Sequence, residues 1–240
     1  MDLELSKRPK CSECPIRHRA VCARCDDDEL LTLEAIKSYK SFKAGEPILW
    51  RGDELVYLAS IVEGVATLNK SMEDGRTQMV GLLLPSDFIG RPGRNDIEFD
   101  VVAATDVTLC CFQRKPFERL LETTPHISQR LVEMTMDELD AARDWMVLLG
   151  RKTAQEKTAT FVEMLVRRQR VDGVDTDPQH LALPLTRDEI ANYLGLTLET
   201  VSRQLNAMKK DGVLRFADRR RFEVADFKAL RNATGDGAEY

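Results

Sequence analysis

The chain has 240 residues, 43% of them apolar and 31% charged, with a formal net charge of -5. This is the composition of a globular protein with a sizeable core, and it excludes a disordered or collagen-like chain. The N-terminal MDLELSKRPK lacks the apolar stretch of a secretory signal, and no apolar run approaches the ~20 residues of a membrane span, so a cytoplasmic protein without membrane contact is expected.

Four of the six cysteines fall between Cys11 and Cys25, in CSECPIRHRAVCARC. In a reducing compartment such spacings favour metal binding or redox chemistry over structural disulfides. The C-x2-C-x7-C-x2-C pattern by itself supplies four thiolates, enough for a tetrahedral zinc. His18 lies inside this loop beside Arg17 and Arg19 and reads as an exposed basic residue. DDDELLTLEAIKSYK, from Asp26 to Lys40, is predicted as a short helix with aspartates at its positive end. From Phe42 to about Phe117, short β-rich runs alternate with the turn signals KAGE, WRGDE, VEGV, EDGR, LPSDF and GRPG, the pattern of a jelly-roll or barrel-like domain. Near its end, TDVTLCCFQRKPF holds Cys110 and Cys111, which strand alternation sends to opposite faces.

From Pro125 the period becomes helical. Val132, Met136, Leu139, Ala142, Met146 and Leu149 form one apolar stripe, and Leu131, Met134, Ala141, Trp145 and Leu148 a second. One stripe can pack on the sheet domain while the other meets a second subunit; a helix buried on both sides within one chain is the plainer alternative. His126 reads as a helix-start residue. A further helix is predicted over Thr153 to Arg170, followed by the polar connection VDGVDTDPQH, which contains His180.

LTRDEIANYLGLTLETVSRQLNAMKKDG carries the most specific signal. Thr186 and Glu189 have capping-box spacing, Gly195 ends a first helix, and Thr197 can cap a second. Ile190 and Leu194 are placed to meet Val201, Leu205 and Met208, which leaves Glu199, Ser202 and Arg203 on the opposite face. Arginine can grip guanine, glutamate can accept from cytosine, and serine can do either, so this face suits base reading in the major groove. GVLRFADRRRFEV then reads as a wing with Arg219, Arg220 and Arg221 placed for phosphate contacts. Leu181 to Arg231 carries ten Lys/Arg and seven Asp/Glu, a basic stretch in an acidic chain.

The stretches FKAGEPILWRGDE, IVEGVATL, EDGRTQMVGLLLPSDFIG and LTRDEIANYLGLTLETVSRQL, with the long helix, resemble the cyclic-AMP receptor protein superfamily. Within it, the chain is similar to the fumarate and nitrate reduction regulator (FNR) family over nearly its whole length. The resemblance implies an α+β homodimer with a cysteine-rich segment over 1–28, a jelly-roll sensory β-roll like a cyclic-nucleotide-binding domain over 29–124, a dimerisation helix over 125–152 and a winged helix-turn-helix over 153–240. The first apolar stripe would be the dimer seam. Glu199, Ser202 and Arg203 match the family's E-x-x-S-R motif, which reads the half-site of a palindrome in double-stranded DNA. FIGRPGRNDIEFDVVAATDV has no clean phosphate cassette for a cyclic nucleotide, although Arg91 and Arg94 could mimic part of one.

FNR-like sensors bind a [4Fe-4S] cluster through three N-terminal cysteines and one from the β-roll, and cluster iron favours soft thiolates. The resemblance assigns Cys11, Cys14, Cys22 and Cys110, with Cys25 and Cys111 as alternatives. The C-x2-C-x7-C spacing is that of rhizobial and photosynthetic-bacterial members, longer in its second gap than that of enteric ones. The implied function is a transcription activator that dimerises under low oxygen and contacts RNA polymerase. A zinc-stabilised or small-ligand-responsive regulator of the same superfamily, and an iron-sulfur electron-transfer protein, are the alternatives. The sequence contains no nucleophile-base constellation that would indicate an enzyme.

Overall fold

The computed structural model describes residues 9–169 and 181–236, so the polar connection over 171–180, with its His180, lies outside the described residues. The chain divides into two compact units at Asp140 and Ala141, inside the long helix rather than at either of its ends.

In the first unit, α1 (Asp27–Ile36) is fixed at its start by Asp26, whose side chain accepts from Glu29 N–H while Glu29 accepts from Asp26 N–H. The helix stops earlier than its sequence pattern predicts. KSYKSF, from Lys37 to Phe42, is instead strand β1, paired along its whole length with β8 (Val107–Gln113). An available edge for β1 to pair with outweighs the weak local preference of a mostly polar hexapeptide. Strands β2 (Pro47–Leu49), β3 (Tyr57–Glu63), β4 (Ala66–Ser71), β5 (Thr77–Leu83), β6 (Phe88–Ile89) and β7 (Asp100–Ala103) complete two four-stranded antiparallel sheets. Their orders are β1-β8-β3-β6 and β2-β7-β4-β5. The β3–β4 turn depends on Gly64, whose φ of +87° suits glycine and whose added Cβ would lie 2.1 Å from the Asp106 carbonyl oxygen.

β8 is flanked by β1 and β3, and five of its seven residues are buried. The helix that follows it directly, α2 (Arg114–Thr123), overlaps the last residues of the stretch patterned as strands and turns and continues through the segment before Pro125. It is anchored by Phe117 and Leu120, and Phe117 packs against Phe112 and Phe88 with ring centroids 5.1 and 5.7 Å away.

The long helix α3 (Pro125–Arg151) opens with proline at its first position, where the missing N–H costs nothing. In the first unit, Ile127, Leu131 and Met134 pack against the core while Val132, Met136 and Leu139 are exposed. In the second unit, Leu148 is buried and Trp145 stacks on Tyr193 at 3.9 Å, whereas Ala142, Met146 and Leu149 are exposed. The second unit also contains α4 (Ala154–Gln169), β9 (Leu181–Ala182), α5 (Arg187–Leu194), α6 (Leu198–Lys210), β10 (Leu214–Phe216), β11 (Arg221–Val224) and α7 (Phe227–Ala233). Its three strands pair in the order β10-β11-β9. No helix among the described residues is long and apolar enough to cross a membrane.

Candidate metal centre and nucleic-acid interface

Cys11 begins a 3-10 turn, Cys11–Glu13, that is pinned to α1 by a bond from Cys11 N–H to Glu34 Oε2 at 3.1 Å. The rest of the cysteine loop is gathered by Arg17. Its guanidinium donates to the carbonyls of Cys22, Ala23 and Cys25 at 2.7, 2.8 and 2.7 Å, curling the segment around itself. Cys11, Cys14 and Cys22 thereby meet Cys110 around one cavity, together with Ile16, Ala20, Val21, Leu33, Tyr39, Ser60 and Phe112. Cys25 is buried outside this lining, beneath the Arg17 clamp. Cys111 points to the other face of β8, toward a cleft of about 500 Å³ shared with Ser38, Lys40, Tyr57 and Gln113. Neither Arg91 nor Arg94 lines that cleft.

Lys37 is a cation beside these sulfurs. Its side chain is 9% exposed, and the ammonium donates to the Pro9 carbonyl at 3.0 Å and to Cys11 Sγ at 3.4 Å. Burial pushes the Cys22 thiol up to about 11 and the Cys25 thiol up to about 12. Cys110 is also raised, first by burial and then by the nearby sulfurs of Cys11, Cys14 and Cys22. Cys11 is raised by burial, with Lys37 acting in the opposite sense. Metal ligation requires thiolates, so loading such a site releases protons and strengthens as pH rises.

Four convergent sulfurs could hold a metal ion or a cluster. Tetrahedral zinc, with Zn–S about 2.3 Å, draws its sulfurs to within about 3.8 Å of one another. Among the described residues, the one His/Cys/Asp/Glu trio with ligand atoms all within 4.8 Å is Asp26, Glu29 and His126, and it contains no cysteine. Four thiolates suit a [4Fe-4S] cluster as well as a tetrahedral zinc. The cavity itself is water-sized, about 20 Å³, and is walled on one side by the turns of the Cys11–Cys25 loop. In the acidic trio, Asp26 and Glu29 are already engaged in the α1 cap and Glu29 meets His126 Nδ1 at 2.9 Å, while His18 is exposed.

The loop is also tied to the long helix. Arg130 donates to the Arg19 carbonyl at 2.7 Å, and Arg24 pairs with Glu133 at 2.6 Å. No sequence spacing announces these contacts, nor those of Arg17 and Lys37.

In the second unit, Thr186 and Glu189 form the full capping box of α5, and Gly195 closes that helix in the left-handed region at φ 62°. The buried ammonium of Lys157 donates to the Leu194 carbonyl at 3.3 Å, where a cation favours the helix C-terminus. Thr197 caps α6 by accepting from Thr200 N–H. Ile190, Leu194, Val201, Leu205 and Met208 are buried, leaving Glu199 and Arg203 exposed and Ser202 half-buried on the outer face of α6. The Glu199 carboxyl is held below its ordinary range by hydrogen bonds at the helix start, so it stays an acceptor. In the wing, the three arginines are not equivalent. Arg221 binds Asp218 through Nε at 2.6 Å, and Asp218 also accepts from the N–H groups of Arg220 and Arg221 and is pushed down to about 2. Arg221 thus shapes the turn, while Arg219 and Arg220 present exposed side chains.

A Crp-like helix-turn-helix domain matches residues 156–233, and a cyclic nucleotide-binding domain matches residues 39–124. The chain is 56% identical over 232 residues to the transcriptional activator protein FnrL of Cereibacter sphaeroides, covering 96% of this chain and 94% of the relative. The chain belongs to the CRP/FNR superfamily of transcription regulators. It is also 40% identical to the nitrogen fixation regulation protein FixK of Bradyrhizobium diazoefficiens, over 85% of each chain. The solved structure of FixK2 from Bradyrhizobium japonicum matches with a TM-score of 0.74 at 33% identity, covering 82% of this chain and 97% of that one. As a CRP/FNR regulator the chain is a DNA-binding protein and not an enzyme, and its α5–α6 pair is the superfamily's helix-turn-helix.

Proposed function

We propose that this regulator is an oxygen-responsive activator in which Cys11, Cys14, Cys22 and Cys110 hold a [4Fe-4S] cluster. A bound cluster supplies reactivity toward oxygen. The chain's own residues supply the coupling: the loop carrying three of the thiolates is held to α3 by Arg130 and by the Arg24–Glu133 pair. Retaining the loop in place steadies α3, whose exposed stripe of Val132, Met136, Leu139, Ala142, Met146 and Leu149 pairs two copies of the chain. A homodimer sets two α6 helices about one DNA turn apart, as a palindromic site requires. The cytoplasm is the compartment in which this regulator works, and loops of the β-roll contact RNA polymerase, in keeping with the activator name of the relative FnrL.

The observation that carries this reading is the meeting of three loop cysteines with one strand cysteine around one cavity, with Cys25, the fourth thiolate of the loop's own zinc pattern, outside its lining. Its test is purification without oxygen, with an absorption spectrum and iron and sulfide analysis before and after exposure to air. Visible absorption with about four irons per chain, lost in air, is expected. A colourless protein with one zinc per chain would overturn the proposal.

DNA reading is tested separately. Arg203→Ala is expected to weaken binding to the specific site by roughly 1–3 kcal/mol and to relax the preference at one base pair. Arg219→Ala is expected to weaken all sequences alike and flatten the salt dependence. Titrations of both variants at two salt concentrations distinguish these outcomes, and equal losses on specific and random DNA for Arg203→Ala would remove it from base reading.

A further inference from the structure

Ser60 lies in the middle of β3 and is 2% exposed, and its hydroxyl has no hydrogen-bond partner among the described residues. The β3–β8 register sets Ser60 directly opposite Cys110, and the β1–β8 register sets Tyr39 opposite Cys110 from the other side. Cross-strand partners share a face, with Cβ atoms about 4.5–5.5 Å apart. Ser60 accordingly lines the same cavity as Cys11, Cys14, Cys22 and Cys110.

A buried hydroxyl left unpaired is destabilising, and alanine at this position would carry no such cost. A side chain with that penalty, aimed among sulfurs, is accounted for when a sulfur accepts its proton. We infer that Ser60 is a positioning residue for the thiolate-bound group, donating a hydrogen bond to a cluster sulfur or to Cys110 Sγ and so setting how readily the cluster is oxidised. The inference rests on the cluster reading above. A donor to sulfur draws electron density from the iron and disfavours loss of an electron, as hydrogen bonds to cluster sulfurs do in general. Lys37, at Cys11 Sγ on the other side of the site, acts in the same direction through its charge.

The test compares wild type, Ser60→Ala and Ser60→Thr, each purified without oxygen. All three are expected to bind the same iron and sulfide. Ser60→Ala is expected to have a lower midpoint potential and to lose its visible absorption in air several-fold faster. Ser60→Thr, which keeps the hydroxyl, is expected to return both properties toward wild type. In metal-free protein the sign reverses: Ser60→Ala is expected to melt no lower than wild type, because the unpaired hydroxyl is gone. A cluster-loaded Ser60→Ala with wild-type potential and decay rate, or a Ser60→Thr that behaves like the alanine variant, would overturn the role of the hydroxyl alone. A wild-type chain that takes up no iron and sulfide would instead overturn the cluster reading, and this role with it.

Discussion

Cys110→Ala, purified without oxygen, is expected to contain little iron or sulfide and to lack the visible absorption of the parent protein. Of the six cysteines, Cys110 is the one that a strand brings to the N-terminal loop, fixed by pairing with Tyr39 on one side and Ser60 on the other. With it replaced, the remaining three thiolates sit on one short loop and have no anchor in the sheet. Cys111→Ala is the control. That side chain lies on the opposite face, fully buried, so its loss leaves a small void costing roughly 1 kcal/mol while cluster content is retained. Cys25→Ala is likewise expected to keep the cluster, because Cys25 lies outside the shared cavity. The same iron and sulfide assay on the three variants settles the ligand set, and a cluster lost in Cys111→Ala but kept in Cys110→Ala would reverse the assignment. Loading is also expected to weaken as pH falls, since burial favours the protonated thiols of Cys22 and Cys110 and each ligand must release a proton to bind.

The second large effect concerns α3. Leu139 is 42% exposed in a single chain and lies in line with Val132 and Met136, which are 62% and 54% exposed. Burying one leucine side chain contributes about 1.5–3 kcal/mol, and a two-fold symmetric interface counts it twice. Leu139→Asp removes that gain and adds a carboxylate to each copy, so roughly 3 kcal/mol or more is lost, at least about a hundredfold in dimer dissociation at 1.4 kcal/mol per factor of ten. The variant is expected to keep its far-ultraviolet circular dichroism, to sediment as a monomer and to bind palindromic DNA weakly. Because Leu139 lies on the exposed side of α3, no core packing is disturbed. Sedimentation of an unchanged dimer would place the seam elsewhere.

The two predictions meet at the contacts between the cysteine loop and α3. Arg130 and Glu133 receive the loop on the same stretch of helix that bears Val132 and Met136. In the proposed mechanism, movement of the loop would act directly on the helix that carries the proposed seam, with no intervening element.

Much of this was legible in the residues themselves, wherever the deciding interaction is local. The α5–α6 pair follows from a capping box at Thr186 and Glu189, a left-handed glycine at 195 and a cap at Thr197, all satisfied within one turn of chain. The opposed faces of Cys110 and Cys111 follow from strand geometry, and the two stripes of α3 from helical period. Other features were settled by tertiary structure. Residues 37–42 became β1 because β8, some seventy positions along, offered its edge. Arg17 became a clamp, Lys37 a neighbour of Cys11, Arg221 a brace for its own turn and Ser60 a partner of the cysteine site only through register and burial. Periodicity records which face a side chain takes. Which distant side chains share that face depends on pairing between strands and on the desolvation that pairing imposes, and neither is written in any short stretch of sequence.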